Sequence, residues 1–276
     1  MIRYRMMAAP SLMNRGRSKR PLLVSGAAAS WLAGLLETGQ TAAWLSDQAS
    51  YFDLTGSNVD KWKEANGATA LDLSYVSGTK SIYDTTHPAN STVATVRTGG
   101  FVTSLYAASG TGKSSVIWPS GKGSLFFAFK LIDAVSDGAW SSNDGIFRHG
   151  DTGSWGGLVQ VAKRGGGGSG YRARATCFDG ATKTVDHNVA DEMAAGWHTL
   201  AIRNDGTNLS LKLDSYTEDQ TLCGAMAYTD GVLRALSPYS TGQDVAIAAI
   251  VAYSAFDTTT RDTVMDQLRA LIADLP

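Results

Sequence analysis

Short runs rich in Val, Ile, Leu, Phe, Tyr and Thr, broken by clusters of Gly, Asn, Asp and Ser, succeed one another over more than half of this chain. A chain written this way folds as many short strands joined by tight turns. The runs fall at 101–107, 115–118, 124–131, 145–148, 158–163, 171–178, 182–187, 198–203, 209–213 and 245–253. In the run at 171–178, Arg172 and Arg174 alternate with smaller or apolar residues, as a half-buried strand requires. Leu209, Leu211 and Leu213 take alternate positions and face one way. Asn204-Asp-Gly206 between two runs signals a tight turn, extended by Thr207 and Asn208. The fold class expected is all-β, an antiparallel β-sandwich.

Composition agrees. The chain has 276 residues, 18% of them charged, and 30 glycines, which suits a turn-rich β protein better than a helical bundle or a disordered chain. Two cysteines, Cys177 and Cys223, have no metal-type spacing and are compatible with one disulfide or two buried thiols. No stretch of 18 unbroken apolar residues is present, so no membrane-spanning helix is expected.

The ends of the chain differ from its middle. Val264, Leu268, Leu271, Ile272 and Leu275 follow helical spacing, and Thr259 with Asp262 resembles a capping box, so a C-terminal amphipathic helix is expected. At the other end, Arg3, Arg5, Arg15, Arg17, Lys19 and Arg20 meet no acidic residue before Glu37. The net charge of −1 therefore divides into +6 for the first 36 residues and −7 for the rest. Residues 1–42 read as a basic arm and short helix, capped by Ser25, with Trp31 and Leu35 on its apolar face; residues 43–276 read as the sandwich domain. The arm has few aromatic platforms beyond Tyr4 for nucleic acid, and its charge serves protein docking equally well, so no nucleic-acid partner is expected. A second reading makes the same segment a secretory leader cut at 41–43.

Three stretches resemble a known family. Ala43-Trp-Leu-Ser-Asp-Gln-Ala-Ser-Tyr-Phe-Asp-Leu54 with Val59-Asp-Lys-Trp62 is similar to the opening of concanavalin A-like (laminin G-like) jelly rolls. Gly196-Trp-His-Thr-Leu-Ala-Ile-Arg-Asn-Asp-Gly206 and Leu209-Ser-Leu-Lys-Leu-Asp214 resemble the family's central hairpin. The last strand and closing helix match as well. The resemblance covers about 43–276 and implies fold more than function. Jelly rolls of this kind occur on the outside of tailed bacteriophage particles. That implies a virion decoration, spike or fibre component, on the virion surface, docked on other virion proteins by its arm and forming a homo-oligomer. The alternative is a secreted bacterial carbohydrate-binding protein.

Motifs for chemistry are sparse. Ala107-Ala-Ser-Gly-Thr-Gly-Lys-Ser114 approaches a phosphate loop, but Ala107 replaces the first glycine and a strand, not a helix, is expected after it. The Glu-x-Asp-x-Glu strand of glycosidases with this fold is missing, and Asp191-Glu192 and Glu218-Asp219 are adjacent pairs in polar loops. His87, His149, His187 and His198 lack zinc spacing, and no G-x-S-x-G elbow is present. No enzyme and no cofactor are expected. Trp140, Asp144, Arg148, Asp151 and Trp155 combine aromatic platforms with polar hydrogen-bonders, the mixture that a sugar's apolar face and hydroxylated rim require. Asp144 and Asp151 would be the residues to hold a calcium ion, although no calcium loop is spelled out.

Overall fold

The computed structural model describes residues 35, 39–84, 95–97, 104–108, 112–134, 145–150, 157–163, 171–187, 195–227, 232–237 and 243–272. The arm residues Arg3, Arg5, Arg15, Arg17, Lys19, Arg20 and Trp31 lie outside them, as do Trp140, Asp144, Asp151, Trp155 and His87.

The described chain begins with the strands β1 (Gln40–Leu45), β2 (Phe52–Thr55), β3 (Asn58–Trp62), β4 (Leu73–Gly78), β5 (Ile82–Asp84), β6 (Thr95–Arg97) and β7 (Ser104–Ala107). The short helix α1 (Lys113–Ile117) follows, then β8 (Gly123–Ala134), β9 (Gly145–Gly150), β10 (Gly157–Lys163), β11 (Tyr171–Phe178) and β12 (Thr182–Asp186). The chain continues with β13 (Gly196–Asn204), β14 (Asn208–Leu213), β15 (Asp219–Leu222), β16 (Val232–Ser237) and β17 (Gln243–Tyr253), and the helix α2 (Thr258–Ile272).

All pairings are antiparallel. One layer runs β15-β14-β13-β8-β17, with β1 and β6 sharing the far edge of β17. The other runs β2-β3-β4-β7-β16-β9-β10-β11-β12. Strand β5 pairs with both β3 and β6 and so stitches the layers together at one edge. The architecture is the expected antiparallel β-sandwich.

Alternation decides what lies between the layers. Phe127, Phe129, Leu200, Ile202, Leu209, Leu211 and Leu213 from one layer meet Phe147, Val159, Val161, Ala173, Ala175 and Leu233 from the other. Trp44 on β1 packs 5.6 Å from Phe147 on β9, ring centre to ring centre. Trp44, Trp62 and Trp118 are all buried in this core. The thiols of Cys177 and Cys223 are free and buried there, with the Asn204 amide nitrogen 3.3 Å and 3.7 Å from the two sulfurs. The expected tight turn is built from side chains: Asn204 Oδ1 accepts the Gly206 N–H, and Asp205 Oδ1 accepts those of Thr207 and Asn208. Gly206 sits at φ 85°, a conformation that favours glycine.

A second apolar cluster forms on the outside of the β17 layer. Phe126, Ala128, Ala201, Ala248, Ala249 and Val251 share it with Val264, Met265, Leu268 and Ile272 of α2. The alanines leave room for a helix to approach the sheet. Asp257 caps α2, accepting the Thr260 N–H and hydroxyl at 2.8 Å each. The cap expected at Thr259 and Asp262 is thus corrected to Asp257; Asp262 instead pairs with Arg261 and with Lys212, 3.2 Å away. Met265 joins the buried face, a position the helical reading left out. Glu218 sits between Arg203 and Arg261, at 3.2 and 2.7 Å. Burial pushes its carboxyl up, but the hydrogen bonds from Arg261 and Gln220 and the two positive charges outweigh that and hold it below the usual range.

Two expectations at the chain's landmarks change. Residues 115–118 form no strand: Ser114, Ile117 and Trp118 are buried at helical spacing, Gly112 turns the chain at φ 76°, and Pro119 ends the turn. The boundary drawn between residues 42 and 43 falls inside β1, whose Ala42, Ala43 and Trp44 are fully buried against β17. Leu35, expected to anchor a partner, is itself buried on the chain's own β17 layer, and its carbonyl accepts a 2.8 Å hydrogen bond from the Tyr253 hydroxyl. A leader cut at 41–43 would remove Leu35 and the first half of β1.

His149 on β9 is wholly buried between Trp118, 4.8 Å away edge-on, and Phe147. A Cβ on Gly157 of the neighbouring strand would fall 2.2 Å from its Nε2, so only glycine fits beside the ring. Neither ring nitrogen has a hydrogen-bond partner among the described residues. Burial pulls its pKa down from 6.5 to about 3.

Three outcomes follow from this packing. A chain starting at Trp44 should unfold more easily than one starting at Leu35, by about 3 kcal/mol in urea denaturation, because a buried leucine and half a strand are lost. Glu218→Gln should cost about 2 kcal/mol at neutral pH by leaving two sheltered guanidinium groups without their carboxylate. Since Glu218 has its pKa lowered, its contribution is present above the unfolded value of 4.5 and is lost as pH falls below it. The gap between wild type and variant should therefore close on acidification. For His149 the unfolded chain takes up a proton at higher pH than the native chain does. Wild type should therefore lose stability, relative to His149→Leu, by about 1.4 kcal/mol per pH unit between pH 6.5 and about 3. Equal slopes in that window would show that the imidazole is protonated in place.

Candidate functional site

Arg148 on β9, Gln160 on β10, Arg174 and Thr176 on β11 and Arg234 on β16 each stand between two buried core positions and so lie on the outer face of their layer, away from the layer that carries α2. The register aligns one row of residues across nine strands. Asp53 on β2 stands opposite Lys61, and Lys61 opposite Ser74. Ser74 pairs with Ala107, Ala107 with Arg234, and Arg234 with Arg148. Arg148 then pairs with Leu158, Leu158 with Thr176, and Thr176 with Thr184. A second, shorter row holds Gln160, Arg174 and Asp186.

This outer face is polar yet sheltered. Gln160 is 3% exposed, and Arg148 and Thr176 are 8% exposed. Arg174 and Arg234 are half-buried at the sides. The carboxylates of the two rows are occupied by cations: Asp186 accepts both the Nε and the Nη2 of Arg174, the latter at 2.7 Å, and Asp53 meets Lys63 at 2.7 Å and Lys61 at 3.7 Å. Both lysines and the hydrogen bond from Lys63 hold the Asp53 carboxyl below the usual range. Lys61, Arg234, Arg148 and Arg174 against Asp53 and Asp186 give the two rows a net +2, in a body whose sequence carries −7.

Of the five residues singled out for glycan contact, Arg148 is the one within the described residues. It stands on a strand rather than in a loop, because Phe147 and His149 beside it belong to the core and alternation turns Arg148 outward. The stretches carrying Trp140 with Asp144 and Asp151 with Trp155 leave β9 at its two ends, Gly145 and Gly150, about 17 Å apart at the usual rise per residue. The face that carries Arg148 lies between those two points. Arg234, Gln160, Arg174 and Thr176 were missed in the sequence. Alternation marks Arg174 as outward, but nothing in the sequence places it beside Gln160.

Among the described residues, His187 and His198 each lie beside an aspartate. His198 Nδ1 lies 2.8 Å from Asp214 Oδ2, and the Thr199 N–H donates to Asp214 Oδ1 at 2.7 Å. Asp214 takes φ 45° to reach both, which explains the tryptophan–histidine and leucine–aspartate parts of the hairpin motif: their members touch. His187 is buried 3.2 Å from Asp219 and 5.2 Å from the Tyr216 ring. Among the described residues, no three His, Cys, Asp or Glu side chains gather as a metal site would require, and no helix is long and apolar enough to cross a membrane.

At the phosphate-loop-like stretch a helix does follow, contrary to expectation, but α1 has five residues and leads straight into the core through Ile117 and Trp118. The missing first glycine, Ala107, is a position on β7. The virion partners expected for the basic arm concern residues 1–34, outside the described ones.

No protein-family model matches this chain, and no curated protein matches it in sequence. Solved structures do match in shape. An arabinofuranosidase in complex with arabinofuranosyl-α-1,2-xylobiose aligns over 84% of this chain and 62% of its own, with TM-score 0.56 and 12% identity. The binding domain of botulinum neurotoxin serotype C1 aligns over 83% of this chain and 52% of its own, with TM-score 0.54 and 8% identity. A further structure, described as showing that cell entry of botulinum neurotoxin type C depends on interaction with two ganglioside molecules, aligns over 83% and 51%, with TM-score 0.51 and 8% identity. This chain thus spans between half and two thirds of the length of these structures. At such identities the likeness is one of fold, and the fold is an antiparallel β-sandwich with helical extensions.

Proposed function

We propose that this chain is a non-catalytic carbohydrate-binding module, a concanavalin A-like sandwich that recognises glycans on the outer face of its nine-stranded layer. The observation that carries this reading is the sheltered polar floor of that face. Outward positions of an antiparallel sheet are ordinarily solvated, yet Arg148, Gln160 and Thr176 are almost wholly enclosed. A face carrying both donors and acceptors suits a ligand rich in hydroxyl groups. The fold likeness agrees: among the similar structures, one concerns a neurotoxin that interacts with two ganglioside molecules and another is an arabinofuranosidase complexed with arabinofuranosyl-α-1,2-xylobiose. Glu218 and Asp262 are pulled below the usual range by Arg261 and their other partners, Asp262 to about 2, which suits ion pairing rather than proton donation.

Trp140 and Trp155 supply the stacking platforms in this reading. Trp140→Ala and Trp155→Ala should each lower glycan-array signal at least tenfold while leaving thermal unfolding within a few degrees of wild type. An unmodified protein that gives no signal on a broad glycan array would remove carbohydrate binding from consideration.

A further inference from the structure

We propose that Cys177 and Cys223 are a dithiol–disulfide pair, which exchange with a small disulfide such as oxidised glutathione converts into a covalent staple between the two layers of the sandwich. Cys177 is on β11, in the nine-stranded layer, and Cys223 directly follows β15, at the edge of the other. They are far apart in sequence, yet both belong to the core between the layers, at 0% and 2% exposure. The Asn204 side chain holds the sulfurs together. Its Nδ2 lies 3.3 Å from Cys177 Sγ, 3.7 Å from Cys223 Sγ and 3.0 Å from the Gly224 carbonyl oxygen. The backbones approach as well: the Gly224 N–H donates to Asp179 Oδ2, and the Ala227 N–H to the Phe178 carbonyl, each at 2.8 Å. A Cβ on Gly224 would stand 3.5 Å from that of Asp179. A disulfide needs two Cβ atoms about 3.5–4.5 Å apart. The end of β11 and the segment after β15 therefore already run at the spacing that a bond between them requires.

The chemistry sets the order of events. The two thiols hydrogen-bond to each other. That bond, with burial, holds the Cys177 thiol well above the ordinary range, whereas the same bond holds Cys223 below it in spite of burial. Cys223 is thus the first to become a thiolate, the form that attacks a disulfide. It also lies nearer to solvent, since Leu222 beside it is 74% exposed and β15 is a four-residue strand at the edge of its layer. Local opening of such an edge exposes Cys223 and leaves Cys177 in the core. The Cys223 thiolate attacks one sulfur of oxidised glutathione, breaks its S–S bond and releases one glutathione, which takes up the proton that Cys223 gave. The Cys177 sulfur, losing its own proton, then attacks Cys223 Sγ and displaces the second glutathione, which takes up that proton. The cysteines are oxidised by two electrons, and one glutathione disulfide is reduced to two thiols. The new bond constrains the unfolded chain and ties β11 to the edge of the opposite layer.

The test is incubation of the full chain with oxidised glutathione, both native and during refolding from urea, followed by intact-mass measurement, non-reducing peptide mapping and thermal unfolding. The chain should lose two hydrogens and yield a reducible cross-link between the peptides that carry Cys177 and Cys223. It should unfold about 5 °C or more above the chain treated with dithiothreitol. Cys177→Ala should stop at a glutathione adduct on Cys223, and Cys223→Ala should carry no adduct while native. The wild-type readings decide the matter even if a variant does not fold. Two free thiols after both treatments, or a link between two chains in place of the internal one, would overturn the proposal. So would an internal link that leaves the unfolding temperature unchanged or lower, because such a bond would not staple the native layers.

Discussion

Every layer of this molecule meets at β17. Its residues from Ala246 to Ala252 are wholly buried, because one face looks into the sandwich core and the other belongs to the outer apolar cluster that β17 shares with Leu35, Phe126 and α2. Both of its edges are used as well, one by β8 and the other by β1 and β6. A strand enclosed on all sides can carry only apolar side chains, and this explains the near-continuous run Val245-Ala-Ile-Ala-Ala-Ile-Val-Ala-Tyr253. Its alanines matter as much as its branched residues. Ala248 and Ala249 belong to the outer apolar cluster that also holds the buried face of α2, and larger side chains there would overpack it.

The helix is held by charge as well as by apolar contact. Arg203 reaches from β13 to the Phe256 carbonyl and to Glu218, while Arg261 reaches from α2 to the same carboxylate. Arg269 donates to the Asp214 carbonyl. The segment from Asp214 to Asp219 is thus a strap between sheet and helix, with His198 and His187 bonded to or packed beside its two aspartates. The carboxylate of Glu218 and the carbonyl of Asp214 are therefore part of the fastening of α2. That arrangement directs attention to the opposite side of the sandwich.

There, a stable core and a polar face are made from the same strands. Phe147 and His149 fill the interior of β9, and Arg148 between them stands on the outer face. The cost of this design shows in two places: a buried imidazole without a hydrogen-bond partner among the described residues, and two arginines set opposite each other. Enclosing the imidazole makes the core sensitive to acid, because it must stay neutral. Opposing the arginines concentrates positive charge on a body that is otherwise acidic.

Much of the architecture is legible in the sequence because side-chain alternation is local. The strand over Tyr171–Phe178 has the expected bounds, Leu209, Leu211 and Leu213 all face inward, and the Asn204-Asp-Gly206 turn extends through Asn208 as its residues require. The strands β5, β6 and β15, of three or four residues, carry too little alternation to be recognised alone and exist through their partners. The helix at Lys113–Ile117 was hidden by strand-forming residues whose burial follows a helical spacing instead. What the sequence by itself determined is therefore the fold class, the closing helix and the inward and outward faces of the longer strands, all set by periodicity within one segment. Only the tertiary structure decided that Leu35 belongs to its own domain, that Asp257 caps α2, and that Arg148 stands beside Arg234. Each of these depends on strands or residues far apart in the chain being brought into register, and periodicity within a segment carries no information about register between segments.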